Sequence, residues 1–300
     1  MPKKSGKSHD LSKILGRYRV TDGTHFHLHD YAPDDLGGGH VDHSRADALL
    51  AAGVARLSLL QERLFAQDRW ALLAVFQAMD AAGKDGTIGH VMTGVNPQGV
   101  QATSFKQPGP EDLTHGFLWR ISRAVPPRGH IGIFNRSHYE EVLVARVHSE
   151  VIDQQKLPDA VRGKKFWKHR LEDIANFETY LARQGIVVLK FYLNVSKDEQ
   201  KRRFLARIDE PDKNWKFSIA DLGERQHWSA YQDAYQAAIR ATATPEAPWF
   251  IVPADNKWYT RLVVVEAMIN ALEKLDLQEP APSAELRAEL ARAKIALLAE

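Results

Sequence analysis

No cysteine occurs among the 300 residues, which excludes disulfides and thiolate metal sites and removes any need for an oxidising compartment. Long apolar runs are missing too. The most apolar stretch, IVVLKFYLNV at 186–195, is interrupted by Lys190 and is too short to span a bilayer. The basic opening MPKKSGKSHD leads into no apolar signal core, so the expectation is a cytoplasmic chain with no membrane partner. Charge of one sign is not in excess either. A net charge of +2 gives no reason to expect a nucleic-acid partner, and the placement of the charges matters more than their sum. No internal repeat or low-complexity tract stands out. What is present is 44% apolar content, enough to bury the core of one elaborated α/β domain.

Residues 1–43 are polar and rich in Gly, His and Asp, with little helical periodicity, and read as a surface arm. Within it THFHLHD would put His25, His27 and His29 on one face if extended, a pattern that could bind a metal but fits an unpaired polar arm better. Ser44 is placed to cap a helix with Leu50, Val54, Leu57 and Leu64 on one stripe, ending near Asp68. WALLAVFQAM (70–79) reads as a buried strand, followed by a glycine-containing turn and a helix over about 83–94. VQATSF (100–105), GHIGIFN (129–135), GIVVLKFYLNV (185–195) and PWFIVPA (248–254) are further strands, each separated by enough chain for a helix. Pro110 opens a helix carrying Leu113 and Ile121, another covers roughly 165–183, and Ser196 with Glu199 forms a capping box. The fold class is α/β, three layers around a mostly parallel five-stranded sheet with helices on both faces. After Pro280 and Pro282 a last helix puts Leu286, Leu290 and Leu297 at helical spacing, the pattern of packing against its own domain.

The turn AMDAAGKDGT carries the Gly83-Lys84 pair of a phosphate loop, with Ala78 in place of the first glycine and Asp85-Gly86-Thr87 where a hydroxyl should follow Lys84 directly. Such a loop works because backbone N–H groups and a helix N-terminus face phosphate oxygens while a lysine reaches the outer phosphates. A lysine just inside a helix start is unfavourable unless an anion sits there. Asp80 inside the loop would repel that anion unless a cation bridged them, and so implies Mg²⁺. Asn135 and Arg136 end a buried strand at the sheet edge where α/β folds bind ligands; a nucleoside triphosphate hydrolase would usually show Asp at Asn135.

Two basic clusters follow. RGKKFWKHR (162–170) has five Lys or Arg and no acid, and KRRFLARIDEPDKNWK (201–216) has six basic against three acidic residues, with Arg203 and Arg207 on one helical face. Either alone is usually a solvated face. Two of them downstream of a phosphate loop point to a donor with many phosphates, because phosphoryl transfer rests on positioning and on cations that neutralise oxygens.

Taken together, DAAGKDGT, SFKQPGPEDLTHGFLWR, GHIGIFNRSHYEEVLVARVH, FWKHRLEDIANFE and KRRFLARIDEPDKNWKFS, collinear over about 56–273, resemble the second family of polyphosphate kinases, the polyphosphate:nucleotide phosphotransferases. The resemblance implies a thymidylate-kinase-like P-loop fold with a helical lid over about 155–175. It implies that Asp80, Lys84 and Thr87 take the phosphate and magnesium roles, within a cradle of Ala81, Ala82, Gly83, Asp85 and Gly86. It implies that Arg136 contacts phosphates, that Arg170 closes over the site, and that Arg203 and Arg207 line a polyphosphate path. Lys106, Phe105 and Glu140 fall on the nucleotide side. FNRSHYE, where other branches show FDRSWYNRA, resembles the branch that phosphorylates both AMP and ADP. Gly116 departs from a position where an acid is common. The implied partners are inorganic polyphosphate, AMP, ADP and ATP, with guanine nucleotides as candidate further acceptors, Mg²⁺ or Mn²⁺ as cofactor and a homodimer or homotetramer as the assembly. The domain plan is an arm (1–43), a kinase domain (44–277) and a helical tail (278–300). Competing readings are an ATP-dependent nucleoside monophosphate kinase and a non-catalytic scaffold or nucleic-acid binder.

Overall fold

The computed structural model describes residues 9–39 and 41–300. The chain runs through α1 (His9–Tyr18), β1 (Arg19–Val20), α2 (Ala46–Gln67), β2 (Ala71–Ala78), α3 (Lys84–Val91), β3 (Val100–Ser104), α4 (Trp119–Ala124), β4 (Ile131–Asn135), the single turns α5 (Val144–Val147) and α6 (Glu150–Asp153), α7 (Phe166–Arg183), β5 (Ile186–Asn194), α8 (Lys197–Asp209), α9 (Ala220–Gln226), α10 (Trp228–Thr242), β6 (Trp249–Pro253), α11 (Lys257–Glu273) and α12 (Ala284–Leu298).

The sheet order is β1-β6-β5-β2-β4-β3. β2 to β6 are parallel, and β1 adds a short antiparallel edge beside β6. Five parallel strands agree with the sequence; the sixth comes from the arm, whose Val20 is buried and so brings its backbone to the sheet edge. Every residue of β2 is buried, as its unbroken apolar run requires of a central strand. Phe76, Phe191 and Phe250 stack across β2, β5 and β6 with centroids 5.0 and 5.5 Å apart. α1 and α2 each pack on α11, while α7 packs on β5 and α10, and Tyr235 of α10 meets Tyr192 of β5. From β2 the chain goes out to β3, returns to β4, then crosses to the other side of β2 for β5 and β6. The C-terminal end of β2 is therefore the switch point at which such sheets bind ligands.

Several local expectations change. The arm is part of the body: Ile14, Leu15, Tyr18, Val20, Phe26, Leu28 and Val41 join the core, because apolar residues spaced too irregularly for one helix are collected by turns. Residues 1–8 of that arm lie outside the described residues. The His27 and His29 rings lie 5.3 Å apart, but the segment is not one extended strand. Leu28–Asp30 is a 3-10 turn, Arg240 lies 2.8 Å from His27 Nδ1, and no cluster of three ligands forms among the described residues. Ser44 does not cap α2; its N–H donates to Asp42, and α2 starts at Ala46. The helix expected from Pro110 is interrupted: a 3-10 turn at Asp112–Thr114 ends at His115, and α4 begins only at Trp119, since Gly116 gives no support to a continuous helix. The expected lid over 155–175 is, from Phe166 on, a body helix whose Arg170, Leu171 and Ile174 are buried. The tail helix α12 forms, but none of its residues is buried.

Lys190, which broke the apolar run, is fully buried. Its ammonium donates to Glu178 and to the carbonyl of Thr242. Glu178 also accepts from Tyr139 Oη at 2.8 Å and lies 3.2 Å from His138 Nε2. A buried charge persists only when paired and hydrogen-bonded in this way.

Candidate active site

β2 runs into the turn Met79–Gly83, and α3 starts directly after it. Gly83 has φ +103°, which glycine adopts freely; Ala81 at +59° and Arg136 at +63° are non-glycine residues in the left-handed region. Such strain persists where the surroundings overdetermine it, and here they do. The Arg136 N–H donates to the Phe76 carbonyl at 3.0 Å. The carbonyls of the turn are tied inward to α8: Asp80 O accepts from Gln200 Nε2 at 3.0 Å, and Ala81 O and Ala82 O accept from Arg203 Nη1 at 3.0 and 2.7 Å. Gly83 gives α3 no side-chain cap. The first-turn N–H groups are thus free to meet an anion.

The side chains around this turn carry mixed charge. Lys84 Nζ donates to the Ala78 carbonyl at 2.9 Å. Burial pushes its ammonium below the ordinary range and the nearby Arg136 adds to this, with Asp80, Glu140 and Asp85 offsetting part. An anion placed there would relieve both effects. Arg136 Nη2 lies 3.2 Å from Asp80 Oδ1, and its Nη1 4.0 Å from Glu140 Oε2. Burial pushes the Glu140 carboxyl up, against the pull of Arg136 and Lys84. Asn135 Nδ2 donates to Asp85 Oδ1 at 2.6 Å. Thr87 is buried one turn into α3.

The structure thus brings together Asp80, Ala81, Ala82, Gly83, Lys84, Asp85, Gly86, Thr87, Asn135, Arg136 and Glu140. Others stand elsewhere than expected. Arg203 does not face an open path: it is 6% exposed and its Nη2 donates to the carbonyls of Ala254 and Asp255 at 2.6 and 3.2 Å, so it braces the loop from beneath. Arg170 does not close over the loop. It donates to Glu141 and Gln155 and stacks on Phe117 and Phe166, because its helix is docked on the body. Phe105 is buried edge-on against Phe134 at 4.9 Å, which leaves no free ring face for a base, whereas Lys106 beside it is exposed. Arg207 is partly exposed, 3.5 Å from Asp221 on α9. Burial and then the nearby Asp80 push the Asp221 carboxyl up, so α9 lies close to the loop.

Gln200 and Arg225 were not legible as site residues. Arg225 Nη1 donates to Gln200 Oε1 at 2.8 Å, linking α9 through Gln200 to the Asp80 carbonyl. No motif signals this link, since the two residues are far apart in the chain. Among the described residues no three carboxylates or imidazoles converge. Asp80, 32% exposed at the mouth of the loop, and the exposed Asp85 are the loop's acids open to a metal. This sparse set fits Mg²⁺, which takes one or two carboxylates and completes its shell with phosphates and water.

A glycine-lysine loop at the C-terminal end of the central parallel strand, with cations and carboxylates around an uncapped helix start, defines a P-loop phosphotransferase of the kinase type. A family model described as "Polyphosphate kinase 2" matches residues 40–280. The chain belongs to that family. It is 50% identical over 251 residues to an ADP-polyphosphate phosphotransferase of Rhodopseudomonas palustris, covering 83% of this chain and 87% of that one. It is 44% identical over 268 residues to an AMP/ADP-polyphosphate phosphotransferase of Meiothermus ruber, covering 89% and 96%. The fold matches the crystal structure of polyphosphate kinase 2 from Arthrobacter aurescens with a TM-score of 0.85 at 41% identity, covering 94% of this chain and 96% of that one.

Proposed function

We propose that this chain transfers phosphoryl groups from inorganic polyphosphate to AMP and ADP, forming ADP and ATP, with guanine nucleotides as further acceptors and the reverse reaction available. The relatives named above act on ADP or on AMP and ADP, and the FNRSHYE form of the segment after β4 supports the same acceptor pair. The observation that carries the reading is the loop itself, in which Lys84 and Arg136 flank a phosphate cradle and are balanced by Asp80 and Glu140.

An acceptor phosphate oxygen attacks the terminal phosphorus of the polyphosphate. The bond to the next bridging oxygen breaks, and a chain one phosphate shorter leaves. No protein nucleophile is needed. The N–H groups of α3 and Lys84 hold the transferred group, Arg136 releases Asp80 to take phosphate oxygens, and Arg207 guides the donor. Exposed Lys106 lies on the acceptor side. Mg²⁺, or Mn²⁺, supplies charge neutralisation of the phosphates when bound, with Asp80 as its protein ligand and Thr87 in support. The reaction belongs in the cytoplasm, where nucleotide acceptors are found.

The test supplies polyphosphate and ATP in parallel as donors to AMP, ADP, GMP and GDP, with products separated by chromatography. ADP and ATP formed from polyphosphate are expected. Turnover of AMP with ATP but not with polyphosphate would assign an ordinary monophosphate kinase instead.

A further inference from the structure

β2 is apolar from Ala71 to Ala78 except at Gln77, which is fully buried. Its Oε1 has no hydrogen-bond partner among the described residues. A buried orphan acceptor destabilises a fold, and an apolar side chain of the same shape would avoid that loss. Residues that break the local pattern in this way tend to stand at functional sites.

The place of Gln77 in the sheet gives its Nε2 a task. On one side Gln77 is in register with Tyr192 of β5. On the other side β4 has already ended, since its last pair with β2 joins Asn135 to Phe76. There the chain turns out through Arg136 in left-handed backbone, and Gln77 Nε2 donates to Ser137 Oγ at 3.0 Å. Ser137 in turn opens the next turn: its Oγ accepts from the Tyr139 N–H at 3.2 Å and its carbonyl from the Glu140 N–H at 3.1 Å. Gln77 thus grips the segment between Arg136 and Glu140, whose intervening residues Ser137, His138 and Tyr139 are all buried. It also acts on Glu140 directly: burial raises that carboxyl, and the Gln77 amide joins Arg136 and Lys84 in drawing it back down.

Arg136 lies 3.2 Å from Asp80 and 4.0 Å from Glu140. Once Asp80 turns to a metal, Glu140 is the carboxylate left to hold the guanidinium among the described residues. We propose that Gln77 is a positioning residue for phosphoryl transfer: by pinning Ser137 it fixes the spacing of Arg136 and Glu140, so that Arg136 keeps its aim at phosphate when Asp80 lets go. Gln77 itself, sealed in the sheet, touches no substrate. The role rests on the phosphotransferase reading above.

Gln77→Met keeps the volume and removes the amide, and Ser137 Oγ keeps the Tyr139 N–H as a partner. Tm should stay level or rise, because the orphan acceptor is removed as well, while kcat falls about 10- to 100-fold with little change in KM for polyphosphate. A glutamine that only supported the fold would lose stability and activity together. In a Glu140→Ala background, where the pair is already broken, the same substitution should cost far less turnover. An unchanged kcat, an activity loss that follows a fall in Tm, or an equal factor of loss in both backgrounds would each overturn the proposal. A second readout needs neither turnover nor a change at Gln77: the nitrogen–proton NMR signals of its side-chain amide should move on Glu140→Ala and stay in place on Lys294→Ala in the exposed tail helix. Signals indifferent to Glu140 would overturn the positioning role even in a chain with confirmed polyphosphate turnover. Signals that respond in a chain without such turnover would uphold the grip on Glu140 and reject only the assigned reaction.

Discussion

Arg203→Ala should cripple the protein through its loop, not through its affinity for the donor. The guanidinium donates to the carbonyls of Ala81, Ala82, Ala254 and Asp255 and to Glu199 Oε1 at 2.7 Å. Removing it strands buried acceptors at about 1–3 kcal/mol each, less where water enters the space left behind. Glu199 keeps Arg202 as a partner, which limits the electrostatic part. A total loss of about 3–5 kcal/mol is the expected order for breaking a buried charged cluster of this kind. In a chain of this size that lowers Tm by roughly 6–15 °C. Because Ala81 holds left-handed backbone only while its neighbours are tied down, kcat should fall about 10- to 100-fold as the cradle loosens. Arg203→Lys keeps the charge but cannot bridge four carbonyls, and should recover little. Arg207→Ala, by contrast, should leave Tm nearly unchanged and raise KM for long polyphosphate much more than for AMP, an effect that added salt mimics. The assays are differential scanning fluorimetry and steady-state kinetics with long and short polyphosphate. An Arg203→Ala protein as stable as wild type, with a raised KM for polyphosphate and an unchanged kcat, would refute the bracing role and return Arg203 to the donor path.

Lys84→Ala should lower turnover by roughly 10²–10³ with little change in folding, as for loss of one preorganised donor; more than half of wild-type activity would remove the loop from the reaction. Asp80→Asn should abolish activity at ordinary Mg²⁺ while Asn135→Ala retains turnover, and chelation of divalent cations should silence the wild type; an Asp80→Asn enzyme matching wild type across a Mg²⁺ titration would reject the metal assignment. Glu266 gives a pH signature away from the site. Burial, with Glu273 adding to it, pushes its carboxyl up from 4.5 to about 7, so the folded chain binds the proton more tightly than the unfolded one. Its contribution is then fully present below pH 4.5 and is lost as pH rises towards 7, by an amount on the order of 2–3 kcal/mol. Urea unfolding of Glu266→Gln at pH 5 and pH 8 should show a variant that loses less stability than wild type over that interval; identical pH slopes would contradict the shift.

Periodicity and turn chemistry were enough to give the strands, the order strand-loop-helix and the location of the phosphate loop, because a fully buried parallel strand must be apolar throughout and a loop that bares its N–H groups needs Gly83. Ser196 is where the capping box put it, accepting from the Glu199 N–H at 3.1 Å. The side chain of Glu199 goes instead to Arg202 and Arg203, a choice between partners that spacing within one helix leaves open. The same limit explains the larger differences. Arg203 and Arg207 are equivalent in sequence, one turn apart on one helical face, yet only the packing of α8 beneath the loop decides that the first is buried as a brace and the second meets α9. Arg170 sits in a basic run that reads as a solvated face, and only the docking of α7 turns it inward to Glu141. Lys190 looks like an interruption of a strand until α7 supplies Glu178. Sequence determined which residue types this protein has for holding phosphate; which of them face the phosphate, and which hold those that do, was decided by contacts between segments far apart in the chain.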